Sequence, residues 1–331
     1  MAKRRKFRGV LAACVAINLS ALFYASPVQA QALSVLGGLS RSPSSSQGTY
    51  AWGFTYMQPL DASQALSYSW LNEGHLSDND RDGFALQYWR SAHFFNNQLE
   101  LAAGIGAYAY FDTVPAAQGQ PYQNDHGVAL IYSLSATWYT HTPWFYQMVV
   151  NRVNAKQSID TTTAMLGIGY QLGTTKQAAS TESTPAAGSG DQLSVLAGQT
   201  VVNSERSPAA FAKSIEYRHG FSPYVDGTLT WLDEGSTVLT QRNGVAAQAW
   251  LGNNFFDDHL HLSVGAGPYV AFDTYKIRGG LETGDKITAL LTMSASYNIS
   301  EHWLMRASWD RVLTGYDKDS DIFLAGAGYR F

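Results

Sequence analysis

The sequence predicts an all-β protein: an antiparallel up-and-down transmembrane β-barrel with sixteen strands, formed from a duplicated eight-stranded unit. Three observations predict it. Hydrophobicity alternates with a period of two, the chain repeats itself once, and the candidate strands run about 10 to 15 residues. A tilted strand needs ~9–11 residues to cross a bilayer, so these lengths fit a membrane.

Composition supports this fold class. Charged residues make up 15% of the chain, aromatic residues 13%, and there are 30 glycines, whereas soluble domains carry about 25% charged residues. Downstream of residue 30, no segment approaches the roughly 18 apolar residues of a membrane helix. The composition therefore argues against a cytosolic enzyme, a helical membrane protein and a disordered chain.

The first 30 residues have the layout of a secretory signal peptide. Five of the 22 basic residues lie in the first eight positions, an apolar stretch follows from Val10 to Ala25, and Val28-Gln29-Ala30 ends in a small residue before Gln31. Cleavage there would remove the single cysteine, Cys14, and leave 17 basic against 26 acidic residues, a net charge of −9. We expect an exported, acidic protein without disulfides, and no binding to nucleic acid.

An internal repeat organises the rest of the chain. Matching segments are separated by 159 to 161 residues throughout, as in Leu33-Ser34-Val35-Leu36 with Leu193-Ser194-Val195-Leu196, and Trp70 to Gly74 with Trp231 to Gly235. We therefore predict two copies, at 31–173 and 192–331, each with eight strands. Residues 174–191, rich in Ala, Ser, Thr and Gly, are predicted to form a flexible linker.

Alternation shows which face of each strand meets lipid. In the segment from Leu99 to Phe111, the odd positions are apolar, whereas the even positions include Glu100, Gly104 and Asp112 just beyond it. An apolar outer face with a polar, glycine-rich inner face is the reverse of a soluble barrel. Because every backbone group in hydrocarbon must be bonded internally, such strands are expected to close into a barrel.

The connections between strands alternate in length. Longer ones include Thr113 to His126 and Thr274 to Asp285, whereas Phe94 to Gln98 and Phe256 to His259 are tight. Outer-membrane barrels place short turns in the periplasm and longer loops outside. We expect the same orientation here.

The last strand, Ala325-Gly326-Ala327-Gly328-Tyr329-Arg330-Phe331, resembles the C-terminal assembly signal of Gram-negative outer-membrane β-barrels, with Tyr329 and Phe331 at the signal positions. Each copy also resembles the small eight-stranded members of that class in length. The resemblance implies location in the bacterial outer membrane and insertion by the barrel assembly machinery.

Sixteen strands can form one porin-sized barrel or two tandem eight-stranded barrels. Eight strands leave room only for packed side chains, whereas sixteen enclose an aqueous channel. Inward Gly83, Ala85, Gln87 and Trp89, repeated as Gly244, Ala246, Gln248 and Trp250, suggest a filled lumen. These positions and the long linker favour tandem barrels, although a length of 301 residues after cleavage also suits a sixteen-stranded porin.

One polar constellation occurs in both copies. It comprises Glu73, Arg81 and Asp112 in the first copy and Glu234, Arg242 and Asp273 in the second, each displaced by 161. Strand phase places all six inside the barrels, near the extracellular rim. They form either a gate or ligand site, or an ion-pair network that neutralises charges inside a narrow barrel.

Arg152 and Arg311 have the opposite phase and are expected at the outer, lipid-facing rim. There a guanidinium could bind lipopolysaccharide phosphates through a bidentate fork. Outer-membrane lipid and lipopolysaccharide are therefore the expected partners, and the sequence identifies no extracellular ligand.

No zinc spacing, phosphate loop or nucleophile elbow is present, so we predict no catalytic residue, metal or cofactor. Two His-x-Ser pairs, at His75 and His261, keep a lipid A-modifying hydrolase as an alternative. The principal prediction is a non-enzymatic outer-membrane barrel with a surface-binding or envelope-integrity role. The other alternative is a sixteen-stranded porin or a polysaccharide exit pore.

Overall fold

The computed structural model describes residues 31–43, 48–76, 79–116, 121–156, 158–172, 190–204, 206–277, 280–283 and 287–331, with the backbone alone between 273 and 283. The predicted signal peptide and residues 174–189 of the predicted linker lie outside these ranges. Its strands are β1 (Ala32–Arg41), β2 (Gly48–Pro59), β3 (Gln64–Leu76), β4 (Asn79–Phe94), β5 (Leu99–Val114), β6 (Gln123–Tyr139), β7 (Trp144–Asn154), β8 (Thr161–Gln171), β9 (Asp191–Val202), β10 (Ala209–Ser222), β11 (Val225–Ser236), β12 (Thr240–Phe255), β13 (Leu260–Ile277), β14 (Gly280–Thr283), β15 (Ile287–Asn298), β16 (Trp303–Leu313) and β17 (Ser320–Arg330).

Strands β1 to β8 form a closed antiparallel barrel in which each strand pairs with its neighbours in the chain. The barrel closes where β1 pairs with β8, for example Leu36 opposite Gly167, while the other edge of β1 pairs with β2. Closure at the eighth strand leaves no open sheet edge in this barrel.

The second barrel repeats this arrangement. Its order is β12-β11-β10-β9-β17-β16-β15-β13, and pairing of β12 with β13 completes the circle. The prediction of tandem eight-stranded barrels is confirmed, and the alternative of one sixteen-stranded barrel is wrong. Because β1 pairs with β8 and β9 with β17, each half of the chain closes on itself.

The second barrel differs from the prediction at one connection. We expected a loop between Thr274 and Asp285, but β13 continues to Ile277 and pairs with the short strand β14. The hairpin extends β13 beyond its pairing with β15, which ends at Val270 opposite Ile287. The membrane-spanning order of eight strands is unchanged, since β14 pairs with β13 alone.

Burial alternates along the strands as expected from the sequence. In β1, Val35 is 60% exposed and Ser34 only 3%, and in β9 the matching residues Val195 and Ser194 are 60% and 1% exposed. Apolar side chains thus face outward and polar ones fill the lumen. This arrangement is stable only if hydrocarbon surrounds the barrel.

A lumenal tryptophan packs against a glycine in each barrel. Trp89 donates a hydrogen bond to Ser67 (2.8 Å), and Trp250 donates one to Thr228 (2.8 Å). A Cβ on Gly104 would lie 2.6 Å from the Trp89 ring, and one on Gly265 would lie 2.5 Å from the Trp250 ring. Each glycine therefore makes room for an indole that blocks the lumen.

The tight turns are also duplicated. Phe95, Asn96 and Asn97 between β4 and β5 all have positive φ, from 52° to 67°, and the same conformation recurs between β12 and β13. We call the end of each barrel that carries these turns the turn end, and the opposite end the loop end. The two ends of each barrel therefore carry different connections between strands.

Replacement of Gly104 or Gly265 by Ala is expected to destabilise the barrel by about 1–3 kcal/mol, because the added methyl overlaps an indole ring in a packed lumen. Urea unfolding of the protein in lipid vesicles, followed by the change in gel mobility between folded and unfolded forms, measures this. Gly37→Ala is the matched control, since a Cβ there meets nothing within 4 Å. Equal stability of all three variants would contradict the packing described here.

Candidate functional site: buried polar networks in the lumens

The most complete polar cluster lies at the loop end of the second barrel. Glu234 is placed near the end of β11 by a bulge, since Gly235 has a φ of 75° and the register to β12 shifts between Asp233 and Gly235. Arg242 lies near the start of β12, with its Nη1 3.1 Å from Glu234 Oε2. Glu234 and Arg242 are only 2% and 0% exposed, so this is a fully buried ion pair.

Neutral groups satisfy much of the remaining hydrogen-bonding capacity of this pair. Ser320 donates to Glu234 Oε2 (2.7 Å), while Arg242 Nη2 donates to the carbonyl oxygen of Lys318 (2.7 Å). Asp273, the third predicted member, lies opposite Arg242 in the β12–β13 ladder, but its side chain is outside the described atoms. The arrangement ties β11 and β12 to β17 and the segment before it, across the lumen.

The first barrel uses the same positions with different contacts. Glu73 accepts hydrogen bonds from Tyr108 (3.0 Å) and from Thr161, whereas Asp112 accepts one from Asn79 (2.7 Å). Arg81 is buried with its guanidinium carbon 5.8 Å from the centre of the Tyr110 ring. All three predicted residues are therefore buried lumenal groups, each held by neighbours in the barrel.

Sequence reasoning missed a second polar network, which lies in the second barrel and has no counterpart among the described residues of the first. Glu216 bridges two guanidiniums: Arg218 Nε lies 3.3 Å from its Oε1, and Arg306 Nη1 bonds to the same oxygen. Arg218 Nη1 also pairs with Asp226 (3.0 Å). The inward phase of Glu216 and Arg218 on β10 is the sequence signal that could have revealed them.

Both guanidiniums of this network lie against the indole ring of Trp250. The Arg218 and Arg306 guanidinium carbons are 4.1 Å and 5.2 Å from the Trp250 ring centre. Cation–π contacts of this kind gain strength where water is excluded. Charge, hydrogen bonds and an aromatic ring together fill the second lumen between its middle and its turn end.

Each of the two arginines expected at the outer rim pairs with an aspartate, but Arg311 is only 4% exposed. Arg152 Nη2 lies 3.0 Å from Asp160, and Arg311 Nη1 lies 2.9 Å from Asp321. The predicted assembly residues lie at the turn end, where the Tyr329 ring packs edge-on against Trp303 at 5.2 Å and the Phe331 side chain is exposed. A role in lipopolysaccharide binding or assembly remains a prediction.

Of the two His-x-Ser pairs, His261 and Ser263 bond to other residues, whereas Ser77 of the first pair lies outside the described residues. His261 Nδ1 bonds to Asn254 Oδ1 (2.7 Å), and Ser263 accepts from Arg218 (3.4 Å). His75 instead approaches Asp80 at 3.7 Å, with both side chains largely exposed. In the parts of the chain that the structure describes, no group of three or more metal-ligating side chains could hold a metal ion.

Two closed barrels with apolar outer faces define the chain as an outer-membrane β-barrel protein, each half similar to the small eight-stranded barrels of that class. Solved structures similar to this chain include three outer-membrane proteins. The N-terminal β-barrel domain of Pseudomonas aeruginosa OprF is 12% identical over 43% of this chain and 98% of its own, with a TM-score of 0.34. Ail, the attachment invasion locus protein of Yersinia pestis, is 19% identical over 43% of this chain and 99% of its own, with a TM-score of 0.32.

Outer membrane phospholipase A of Escherichia coli is 10% identical over 93% of this chain and 92% of its own, with a TM-score of 0.20. No protein-family model and no curated protein matches the chain. The function proposed below therefore depends on the chain's own residues.

Replacement of Glu234 by Ala is expected to cost about 3–5 kcal/mol, because it leaves the Arg242 guanidinium buried without its carboxylate. Replacing both residues, as Glu234→Leu with Arg242→Met, should recover most of that loss. Urea unfolding in vesicles measures both variants, with Glu301→Ala in an exposed turn as the control. If the double variant is less stable than Glu234→Ala, the pair does more than neutralise two buried charges, and this prediction is wrong.

Proposed function

We propose that this protein is a non-enzymatic outer-membrane barrel with a surface-binding or envelope-integrity role. The filled interior of both barrels carries the proposal. In the first barrel an interior cavity between Trp70 and Trp89 measures about 20 Å³, which is room for one or two water molecules. In the second barrel, charged networks occupy the corresponding space.

A filled lumen leaves the outer surface and the loops to carry function. Among the described side chains, buried residues occupy the interior of each barrel near the loop end and beside its tryptophan. A porin or polysaccharide exit pore would need a lumen of many more strands. Of the residues that suggested a lipid A-modifying hydrolase, His261 bonds to Asn254 and Ser263 to Arg218, so both are engaged in the polar network of the second lumen.

Export and insertion complete the proposal. Residues 1–30 would act as a cleaved signal peptide, and the C-terminal strand with Tyr329 and Phe331 would be recognised by the barrel assembly machinery. The turn ends would then face the periplasm and the loop ends the exterior. In this orientation Arg152, in the outer wall near the loop end, lies at the level of lipopolysaccharide phosphates.

Single-channel recording of the purified chain without residues 1–30, reconstituted in a planar bilayer, tests the filled-lumen argument. We expect silence or small, flickering events from protein shown to be folded by its gel mobility. Large, steady openings would overturn the proposal and indicate transport. An established porin reconstituted in the same bilayer shows that open channels are detected.

Replacement of Arg152 by Gln is expected to reduce the lipopolysaccharide that co-purifies with the protein. The Arg152 side chain is 35% exposed, and its loss would remove a charge-assisted contact with phosphate. Arg90→Gln is the matched control, because Arg90 also faces outward but lies near the turn end of β4. Equal lipopolysaccharide content in both variants and the wild type would show that Arg152 does not bind lipopolysaccharide.

A further inference from the structure

The two barrels differ most in the lumen near the turn end. Matching their strand registers aligns the pair Arg218–Thr228 with Met57–Ser67, and the pair Glu216–Thr230 with Thr55–Ser69. The same matching relates five residues of the second barrel, Glu216, Arg218, Asp226, Arg306 and Arg330, to Thr55, Met57, Ala65, Gln147 and Gln171 of the first. Five charged groups in one barrel thus stand where the other has none.

The scaffold around these positions is the same in both barrels. Trp89 bonds to Ser67 as Trp250 bonds to Thr228, and Gln87 bonds to Ser133 as Gln248 bonds to Thr292. The first barrel shows that this scaffold closes without any of the five charges. The requirement to close the barrel therefore does not explain why the second barrel has these five charged residues.

A pocket opens from these charged residues to the turn end of the second barrel. Its lining includes Gln192, Arg218, Asp226, His261, Ser296 and Arg330. Its cavity volume is about 20 Å³, which is room for one or two water molecules or ligand oxygens.

Arg218, one of the lining residues of this pocket, carries a buried donor without an acceptor. Its Nε and Nη1 bond to Glu216 and Asp226, but its buried Nη2 meets no acceptor, although the residue is only 6% exposed. The buried Nη2 of Arg306 is in the same situation. A buried donor without an acceptor costs about 1–3 kcal/mol, so an acceptor from outside the chain is expected at this site.

Charge and hydrogen-bonding groups select the ligand. Two guanidiniums, Arg218 and Arg330, face one carboxylate, Asp226, in the pocket lining, and Gln192 and Ser296 add neutral donors. The Asp226 carboxylate repels an anion, but it pairs with Nη1 of Arg218 and leaves Nη2 without an acceptor. Arginine forks match the oxygens of phosphate and carboxylate groups better than any other side chain.

We propose that the turn end of the second barrel is a binding site for a small oxyanion, with the terminal oxygens of a phosphate or carboxylate held between Arg218 and Arg330. The first barrel, with Met57 and Gln171 at these positions, has no such site. If the turn ends face the periplasm, the ligand is supplied from that compartment.

Titration of the full chain without residues 1–30, in a phosphate-free maltoside detergent, tests the site with inorganic phosphate as the probe and ³¹P line broadening and calorimetry as the readouts. One saturable site per chain is expected. Arg330→Gln, which installs the residue of the first barrel, should weaken binding about tenfold or more, the loss of a charge-assisted contact. Asp226→Ala, again the first-barrel residue, should tighten it, because the opposing carboxylate is removed.

A second variant keeps the test valid if a single arginine change disturbs folding. Glu216→Thr with Arg218→Met reproduces the pair that the first barrel accommodates, and it should abolish binding while gel mobility shows a folded protein. Gln171→Arg in the first barrel is the control and should create no second site. Absence of saturable binding, or binding unchanged by Arg330→Gln and by the double variant, would overturn the proposal and leave water as the acceptor.

Repeating the titration with acetate, and with phosphatidylglycerol added to the micelles, identifies the source of the oxygens. Competition between phosphate and acetate indicates a general oxyanion site open to free solutes. Displacement of phosphate by the lipid indicates a headgroup site instead. Either result supports an oxyanion site. If neither ligand competes while Arg330→Gln still weakens phosphate binding, the site is selective for free phosphate.

Discussion

Closure of the backbone hydrogen bonds within eight strands is the constraint on which the rest of the structure depends. In hydrocarbon an unpaired strand edge is too costly to persist, so β1 must find β8 and β9 must find β17. A barrel of eight strands is narrow enough for side chains to span it. The inward residues are therefore packed like a protein core, although many of them are polar or charged.

A polar core of this kind has to satisfy its charges internally. The Glu234–Arg242 pair does so with Ser320 and a backbone carbonyl, and Glu73 does so with Tyr108 and Thr161. Each solution connects strands that are not neighbours in the sheet, so it stabilises the closed barrel as well as the charges. The duplicated unit thus keeps the position of the buried carboxylate while changing the groups that neutralise it.

Much of this could be predicted from the sequence, because strand phase is a local property. Alternation placed Glu73, Arg81, Glu234 and Arg242 in the lumen, and the repeat indicated equal halves. The choice between two barrels and one is not local, since it depends on whether β8 pairs with β1 or with β9. The Glu216–Arg306 contact was missed for the same reason: its strands are 90 residues apart in the sequence and meet only across the lumen.

The divergence of the two lumens follows from the same geometry. Outward positions are constrained by lipid and backbone pairing is fixed by closure, so the inner face near the mouth is where a duplicated barrel can change most freely. In the first barrel Met57 and Gln147 leave this region neutral, whereas Arg218 and Arg306 make it charged in the second. Charged groups buried beside a preserved Trp250 carry a desolvation cost that the first barrel avoids. Their arrangement around an open pocket, with buried guanidinium donors still unsatisfied, is more readily explained by a ligand than by the needs of the fold.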